Sequence, residues 1–198
     1  NMCGIIGYTG IRQAAPILIE GLTNLEYRGY DSTGIAINDV AGSPRIHKSS
    51  GKLSKLKSSL GDNLPEGFTG LGHTRWATHG RPTNDNAHPH TSCKNEVTIV
   101  HNGIVENHAE LKRKLLEQGH NFLSQTDSEC IPHLIESYLS MNYSFENAVR
   151  ETALRLHGSN AVVAISNQSP GHLVGFRLGN AGGIVVGYGD NEMLVASD

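Results

Sequence analysis

The order of apolar patterns along the chain constrains its fold more than any other feature. Short buried strands are predicted at 5–8, 34–38 and 98–101, and a second strand-rich block covers 161–196. Most of the helical periodicity falls between these strand-forming regions. Because strands and helices do not alternate regularly, a βαβ repeat with one parallel sheet is not expected. The pattern instead predicts an α+β protein in which helices cover two sheets.

Four segments carry helical signals. Residues 14–25 have an apolar stripe on one face and a proline near their start, where a missing N–H does little harm. Residues 107–117 and 126–139 each open with a capping sequence, whose first polar residue is the predicted N-cap. A further helix is predicted from 144 to about 156. These helices are expected to pack on the sheets.

Composition limits the classes of partner. The 198 residues suit one domain, and 16 basic against 19 acidic residues give a formal net charge of −3 without a run of Lys or Arg. We therefore expect neither nucleic acid nor a membrane as a partner. No stretch resembles a membrane span or a secretory signal, and the three cysteines form no CxxC pair. A cytoplasmic location is expected.

Cys3 is the strongest candidate for chemistry because it stands almost at the start of the chain. A terminal amine has a pKa of about 7.7–8.0 and a thiol one of about 8.5, so an N-terminal cysteine carries both a nucleophile and a base. Asn1 is not an initiator, so we expect a native chain that starts at Met2 and exposes Cys3 once Met2 is removed. While its nitrogen stays in a peptide bond, we expect impaired catalysis.

The polar segment 73–80 is the second candidate. It holds two histidines, an arginine, two threonines and the only tryptophan of the chain, and such a mixture is poor core material. Arg75 can bind a carboxylate through two parallel hydrogen bonds, and Trp76 is suited to a lid or a ligand wall. The structural alternative is an Arg salt bridge beside a packed Trp. The segment alone does not decide between the two.

Two further positions have competing interpretations. Asn102-Gly103 follows a predicted strand and is typical of a tight hairpin turn. An Asn amide beside a glycine N–H also supplies two donors that can stabilise an oxyanion. Asp127 is interpreted either as part of a helix N-terminal cap or as a functional carboxylate. Both interpretations of each position stay open at this point.

The histidines do not indicate a metal site. Several crowd into 73–90, but Pro89 separates two of them and no ligand set has a recognised spacing. We expect no metal, and we interpret most of the eleven histidines as hydrogen-bonding loop residues. Cys93 and Cys130 lack a terminal amine and are interpreted as structural thiols. No phosphate-binding loop is present in the sequence, and no cofactor is indicated.

Six short motifs, spread over nearly the whole chain, match a known family. They are Cys-Gly-Ile-Ile-Gly at 3–7, Leu-Glu-Tyr-Arg-Gly-Tyr-Asp-Ser at 25–32, His-Thr-Arg-Trp-Ala-Thr-His-Gly at 73–80, Asn-Ala-His-Pro-His at 86–90, Val-His-Asn-Gly-Ile at 100–104 and Gln-Thr-Asp-Ser-Glu at 125–129. Together they resemble the glutaminase domains of glutamine:fructose-6-phosphate aminotransferases, the glucosamine-6-phosphate synthases. Within the N-terminal-nucleophile amidotransferases, 26–32 and 75–80 resemble this branch rather than the amidophosphoribosyltransferases.

The resemblance implies a fold and an activity. The fold is a four-layer αββα sandwich of the N-terminal-nucleophile hydrolase type, with 1–198 as one glutamine amidotransferase domain. The implied activity is hydrolysis of L-glutamine through a γ-glutamyl thioester on Cys3, with the ammonia used in amino-sugar biosynthesis to make glucosamine 6-phosphate from fructose 6-phosphate. The sugar isomerase domains of such an enzyme, which is typically a homodimer, are absent here. We therefore expect a C-terminally truncated chain.

The resemblance also assigns roles to nine positions. They are the nucleophile, Cys3; the oxyanion donors, Asn102 and Gly103; the clamp on the glutamine α-carboxylate, Arg75; the partner of its α-ammonium, Asp127; further substrate contacts, Thr78 and His79; the closing glutamine loop, Trp76; and support of the N-terminus, Arg28. A zwitterionic amino acid needs one cation and one anion to fix it, which agrees with the pair of Arg75 and Asp127.

Two rival classes stay open. One is a glutamine-binding or regulatory module that keeps the pocket without chemistry. The other is a different Cys-terminal amide hydrolase, similar to bile-salt hydrolases or acylases, which would have no reason to carry both Arg75 and Asp127. The chain departs from the family pattern at 156–160 and at 182–183, away from the expected chemistry.

Overall fold

The computed structural model describes residues 3–29, 31–39, 43–76 and 82–198, and every structural statement below concerns these ranges. Within them the strands are β1 (Gly4–Thr9), β2 (Ser32–Asn38), β3 (Pro44–Ser50), β4 (Thr69–Arg75), β5 (His90–Thr91), β6 (Val97–Gly103), β7 (Asn160–Ser166), β8 (Val174–Leu178), β9 (Val185–Gly189) and β10 (Glu192–Ala196). The helices are α1 (Ala14–Leu25), α2 (Leu53–Leu60), α3 (His108–Glu117), α4 (Cys130–Ser140) and α5 (Phe145–Arg155), with 3-10 turns at Glu26–Arg28 and Asp127–Glu129.

Two antiparallel sheets occupy the centre of the molecule. The first has the strand order β3-β2-β4-β1-β10-β9, and the second has the order β5-β6-β7-β8. In the first sheet the earliest strand is central, because β1 pairs with β4 on one side and with β10 on the other. Strands from both ends of the described chain therefore meet at β1.

Three apolar clusters separate four layers. One lies between the first sheet and α1 with α2, one between the two sheets, and one between the second sheet and α3 to α5. Alternation along β1 shows how the layers form, since Ile5 packs with Val100 and Val163 between the sheets while Ile6 and Tyr8 pack on the helical side. The expected four-layer αββα sandwich of the α+β class is confirmed.

Most predicted elements are present. The strands predicted at 5–8, 34–38 and 98–101 are β1, β2 and β6, each longer than predicted, and the block predicted at 161–196 contains β7 to β10. The helix predicted at 14–25 is α1, and the one predicted from 144 is α5, which Ser144 caps by accepting from the Asn147 N–H at 3.3 Å. No helix in the described ranges is long and apolar enough to cross a membrane.

The two other predicted caps lack their side-chain hydrogen bonds, although Asn107 does stand at the N-cap position of α3 as predicted. The Asn107 side chain binds the Arg155 carbonyl and the His157 N–H rather than the start of α3. The Thr126 hydroxyl lies 3.1 Å from His90 Nε2, and α4 begins later, at Cys130. In both cases a tertiary partner takes the side chain that local sequence assigned to the helix end.

The buried strand β4 was not predicted from the sequence, because glycines occupy the face that packs against α1. All seven residues of β4 are buried, yet it offers only one large apolar side chain, Leu71. A Cβ on Gly72 would lie 2.9 Å from Ile6 and 3.1 Å from Leu22. Helix α1 packs directly on the backbone there, so the usual alternation of apolar residues is missing.

Candidate active site

Three strand ends bring the candidate residues together. Gly4 is the first residue of β1 and pairs with Thr74 near the end of β4. The neighbouring residues Cys3 and Arg75 therefore lie at the same end of these two adjacent strands. In the facing sheet, β6 ends with Asn102 and Gly103. Antiparallel pairing and the stacking of the two sheets thus gather residues that are far apart in the sequence.

Main-chain groups hold the Cys3 sulfur. Its Sγ accepts from the Trp76 N–H at 3.2 Å and donates to the Trp76 carbonyl at 3.6 Å. Burial raises the pKa of the Cys3 thiol, while the hydrogen bonds with Trp76 and the charge of Arg75 act in the opposite direction. The thiol is therefore protonated at neutral pH, and nucleophilic chemistry at Cys3 needs a base.

The Asn102 side chain links the second sheet to the nucleophile and to the first sheet. Its Nδ2 donates to the Cys3 carbonyl at 2.9 Å, and its Oδ1 lies 3.0 Å from His73 Nε2. The same His73 nitrogen is 3.1 Å from the His101 carbonyl, so it faces two acceptors and must carry the proton. His73 thereby fixes the donor end of the Asn102 amide toward Cys3.

Asn102-Gly103 forms no hairpin turn, so the turn interpretation is wrong. The pair closes β6, and Gly103 has φ +131°, in the region that favours glycine. A Cβ at Gly103 would lie 2.1 Å from the Ser159 carbonyl oxygen. The next N–H, that of Ile104, donates to that carbonyl at 3.1 Å. Glycine is needed here to end the strand, and its role as an oxyanion donor stays a prediction.

A buried cation and a half-buried carboxylate accompany the nucleophile. Arg75 is 5% exposed, and burial lowers the pKa of its guanidinium, which Cys3, Asp127 and Asp31 counteract as nearby acidic groups. Asp127 stands in the 3-10 turn before α4, and its Oδ2 accepts from the Val105 N–H at 2.7 Å. The carboxylate holds the segment after β6, so the interpretation of Asp127 as a helix cap is wrong.

Four buried imidazoles lie behind the nucleophile. The His88 ring centroid is 4.2 Å from that of His73, 4.5 Å from that of His90 and 6.3 Å from that of His101. Burial lowers the pKa of all four, that of His73 to about 3, so the rings are neutral at pH 7. The loop interpretation is wrong for His73, His90 and His101, which lie in strands.

The remaining predicted residues are placed unevenly. Arg28 lies in the 3-10 turn after α1, where its guanidinium is 3.0 Å from Asp198 Oδ2, which also accepts from the Tyr27 hydroxyl. Its expected support of the N-terminus stays a prediction. Thr78 and His79 lie outside the described residues. Trp76 is described, and its main chain rather than its indole makes the contacts to Cys3 given above.

Sequence reasoning missed two residues that complete the site. His73 was noticed only as part of 73–80, and nothing in the sequence reveals that it orients Asn102. Asp31 donates its main-chain N–H to the Arg75 carbonyl at 3.0 Å, and its charge raises the pKa of Cys3. Its place inside the motif at 25–32 was the one available signal.

Comparisons with known proteins agree with this geometry. A family model described as a glutamine amidotransferase domain matches 73–197. The chain is similar to glutamine–fructose-6-phosphate aminotransferase (isomerizing) of Pyrococcus horikoshii, with 49% identity over 197 residues, and to that of Symbiobacterium thermophilum, with 50% over 199. Each match covers 100% of this chain and 32% of the relative, so the chain spans about a third of the length of these proteins.

Solved structures show the same architecture. Glutamine phosphoribosylpyrophosphate amidotransferase from B. subtilis aligns with a TM-score of 0.83 and 26% identity. A second structure, described as the allosteric regulatory enzyme of purine biosynthesis, aligns with a TM-score of 0.84 and 26% identity. Both alignments cover 98% of this chain and 42% of the other chain.

Proposed function

The chain belongs to the glutamine amidotransferase domain family, and from that membership we propose that it hydrolyses L-glutamine to glutamate and ammonia. The observation that carries the proposal is the approach of Asn102 to Cys3. The Asn102 Nδ2 donor lies 2.9 Å from the carbonyl of Cys3, and His73 holds the amide in that orientation. A preorganised donor at the residue that carries the thiol is suited to stabilise the oxyanion formed when an amide carbonyl is attacked.

The reaction proceeds in two steps on Cys3. The α-amine of Cys3, freed by removal of residues 1 and 2, takes the thiol proton, because the raised pKa of the buried thiol leaves it protonated. The sulfur bonds to the δ-carbon of glutamine, and Asn102 Nδ2 and the Gly103 N–H stabilise the oxyanion. The C–N bond breaks, the amine returns its proton to the leaving nitrogen, and ammonia departs. Water then cleaves the thioester to give glutamate and the free thiol.

Substrate recognition uses the charges at the site. Arg75 binds the α-carboxylate of glutamine and Asp127 binds its α-ammonium, while Trp76, Thr78 and His79 belong to the segment that contacts and covers the substrate. The Asp127 carboxylate counteracts the lowering of the Arg75 pKa by burial, and this supports the assignment because it places an anion near the cation that would bind the same ligand. Binding both ends of glutamine holds its amide carbon near the sulfur.

The ammonia has a specific destination in this proposal. Relatives at 49% and 50% identity are named glutamine–fructose-6-phosphate aminotransferases, and they are about three times as long as the chain. In the longer protein, C-terminal sugar isomerase domains take up the ammonia and convert fructose 6-phosphate to glucosamine 6-phosphate, in a cytoplasmic homodimer. The chain alone is then expected to release free ammonia and to make glucosamine 6-phosphate only as part of the longer protein.

A comparison of two forms of the chain tests the hydrolysis. Intact mass and N-terminal sequencing distinguish the form that begins at Asn1 from one processed to begin at Cys3, and release of glutamate from L-glutamine is the readout. We expect hydrolysis by the processed form and far less by the extended form. Equal rates would contradict the role of the α-amine. Glutamine binding without hydrolysis by either form would contradict the enzyme and support a binding module.

A further inference from the structure

Four side chains of metal-binding type converge outside the candidate active site. Cys93 lies in the turn between β5 and β6, His120 follows α3, and His133 and Glu136 stand three residues apart on α4. One potential ligand atom from each lies within 4.8 Å of the other three. Because three separate chain segments supply them, no spacing in the sequence indicated this cluster.

Distances within the cluster match the edges of a metal tetrahedron. With Zn–N at about 2.0–2.1 Å and Zn–S at about 2.3 Å, tetrahedral ligands lie about 3.6 Å apart for S and N and about 3.4 Å apart for N and O. The Cys93 sulfur is 3.7 Å from His120 Nδ1 and 3.5 Å from His133 Nδ1. His120 Nδ1 is 3.4 Å from Glu136 Oε2.

The far side of each ring settles where its proton lies. His120 Nε2 is 2.9 Å from the Ser137 hydroxyl, which itself donates to the His133 carbonyl, so the imidazole carries its proton on Nε2. His133 Nε2 is buried and makes no hydrogen bond, but the negative Glu129 carboxylate 3.6 Å away favours a proton on it. Both Nδ1 atoms therefore present lone pairs to the Cys93 sulfur.

The cluster consequently holds more acceptors than protons. Two imidazole lone pairs and a Glu136 carboxylate oxygen surround one thiol, which can donate a single hydrogen bond. Glu136 is 1% exposed and His133 is 1% exposed, so water is largely kept from these two groups. A divalent cation at the centre satisfies all four groups at once.

Surrounding contacts support each ligand. The Lys94 N–H donates to Glu136 Oε1 at 2.8 Å, which leaves Oε2 for the cluster. The Asn121 N–H donates to the Cys93 sulfur at 3.1 Å and stabilises a thiolate. The contact of His120 Nε2 with Ser137 orients that ring in the way that outer partners orient metal-bound histidines, and the Glu129 carboxylate lies 3.6 Å from His133 Nε2 without a hydrogen bond.

We propose that Cys93, His120, His133 and Glu136 form a structural zinc site. One thiolate, two imidazoles and one carboxylate suit Zn²⁺, and a set of four protein ligands without a position for substrate is typical of structural sites. The metal fastens the β5–β6 turn and the segment after α3 to α4. A surface cleft of about 300 Å³, lined by Cys93, His120 and Glu136, gives the ion a route from solvent.

Metal titration of the chain stripped with a chelator tests the site. We expect one Zn²⁺ per chain, a melting temperature raised by about 5–10 °C when free Zn²⁺ is about 100 times its Kd, and, with Co²⁺, the visible bands of a tetrahedral site together with a sulfur-to-cobalt charge-transfer band. Cys93→Ser removes the charge-transfer band and lowers the affinity for Zn²⁺ by about 100-fold or more. His120→Ala weakens binding similarly but keeps the charge-transfer band with the remaining Co²⁺.

Two control variants separate this site from other ligands. Cys3→Ala keeps the charge-transfer band, because the sulfur donor is Cys93. His172→Ala removes a surface pair with Glu146, whose 3.2 Å separation resembles that of His120 and Glu136 but which lacks the other ligands, and it keeps the affinity. A charge-transfer band that survives Cys93→Ser or disappears in Cys3→Ala would overturn the proposal, as would failure to bind Zn²⁺ at micromolar concentration.

Discussion

Cys3 and Cys93 carry the same thiol group, but different side chains surround the two sulfur atoms. Around Cys3 the contacts are main-chain groups of Trp76, with the Arg75 cation nearby and the donor end of the Asn102 amide on its own carbonyl. Around Cys93 the side-chain groups are two imidazole nitrogens with lone pairs and a carboxylate. The side chains near Cys3 offer hydrogen-bond donors and positive charge, whereas the side chains around Cys93 offer electron pairs.

This difference decides the chemistry available to each thiol. Donors and a cation stabilise negative charge as it develops on an attacked carbonyl, which suits a nucleophile. Lone pairs cannot do so, and a thiolate among them is stable only when a cation is added. Both cysteines have histidines nearby, so the presence of histidine does not separate a catalytic thiol from a metal ligand. The two kinds of thiol are distinguished by whether the imidazole nitrogen that faces the site carries a proton or a lone pair.

Replacing each of the two cysteines in turn should give the largest changes in hydrolysis and in metal binding. Cys3→Ala in the processed chain is expected to lower glutamine hydrolysis by about 10⁴-fold or more, since no other group can form the thioester. Cys93→Ser should reduce the rate far less, and should instead remove the cobalt charge-transfer band. Glutamate release and the cobalt spectrum, measured on both variants, would show whether each cysteine has one role. Substantial hydrolysis by Cys3→Ala would end the account of the active site.

Removal of the amide donor should give the next largest effect. Asn102→Ala is expected to lower kcat by about 10²–10³-fold with little change in KM, because the donor acts on the oxyanion rather than on bound glutamine. Steady-state kinetics with L-glutamine measure this division. A variant in which KM rises and kcat is retained would show that Asn102 binds the substrate and stabilises no oxyanion.

The orientation of a single imidazole distinguishes the two environments further. At Cys3 the ring of His73 donates through Nε2 to Asn102, and His73→Leu leaves that amide without its fixed orientation. Loss of one hydrogen bond of about 1–1.5 kcal/mol corresponds to about a tenfold lower kcat. KM should stay constant, and the affinity for Zn²⁺ should not change. An unaltered kcat would show that other contacts hold Asn102.

Lowering the pH should destabilise the folded chain through its buried histidines. The pKa of His73 is about 3 in the folded chain against 6.5 for a free imidazole, and burial lowers the pKa of His88, His90 and His101 as well. Unfolding therefore takes up protons below pH 6.5, so stability is full above that pH and falls as the pH drops toward 3.

For each such histidine, the free energy of unfolding falls more steeply with decreasing pH, by at most about 1.4 kcal/mol per pH unit. Urea unfolding at pH 7, 6, 5 and 4 measures it, and His73→Leu should give a shallower slope than the parent. A free energy of unfolding that stays flat from pH 7 to 4 would mean that these rings are already protonated in the folded chain.

Local patterns made part of the fold predictable. The helix α1 follows from its apolar stripe, and β1, β2, β6 and β7 follow from short apolar runs, because these signals lie within single segments. The strand β4 was missed since glycine replaces apolar side chains where α1 packs. The caps predicted at Asn107 and Thr126 failed because distant residues bind those side chains.

The candidate site divides in the same way. The family resemblance pointed to Cys3, Asn102 and Arg75, which the fold places at the ends of strands in the two facing sheets. The orienting contact of His73 and the pairing of Arg28 with Asp198 depend on tertiary geometry that no motif encodes. The cluster at Cys93 was the hardest part to predict from the sequence. Its four members become neighbours only when the turn between β5 and β6 packs against α4.

The central position of β1 has a consequence for protein synthesis. This strand carries the nucleophile, and one of its two neighbours is β10, which the ribosome makes last among the described strands. Ile5 is also fastened from both of its main-chain groups to Ser197, through the N–H to the hydroxyl and through the carbonyl to the N–H. A nascent chain still waiting for these residues has an incomplete sheet beside Cys3. The sheet that carries Cys3 is therefore complete only when the chain through Ser197 has been made.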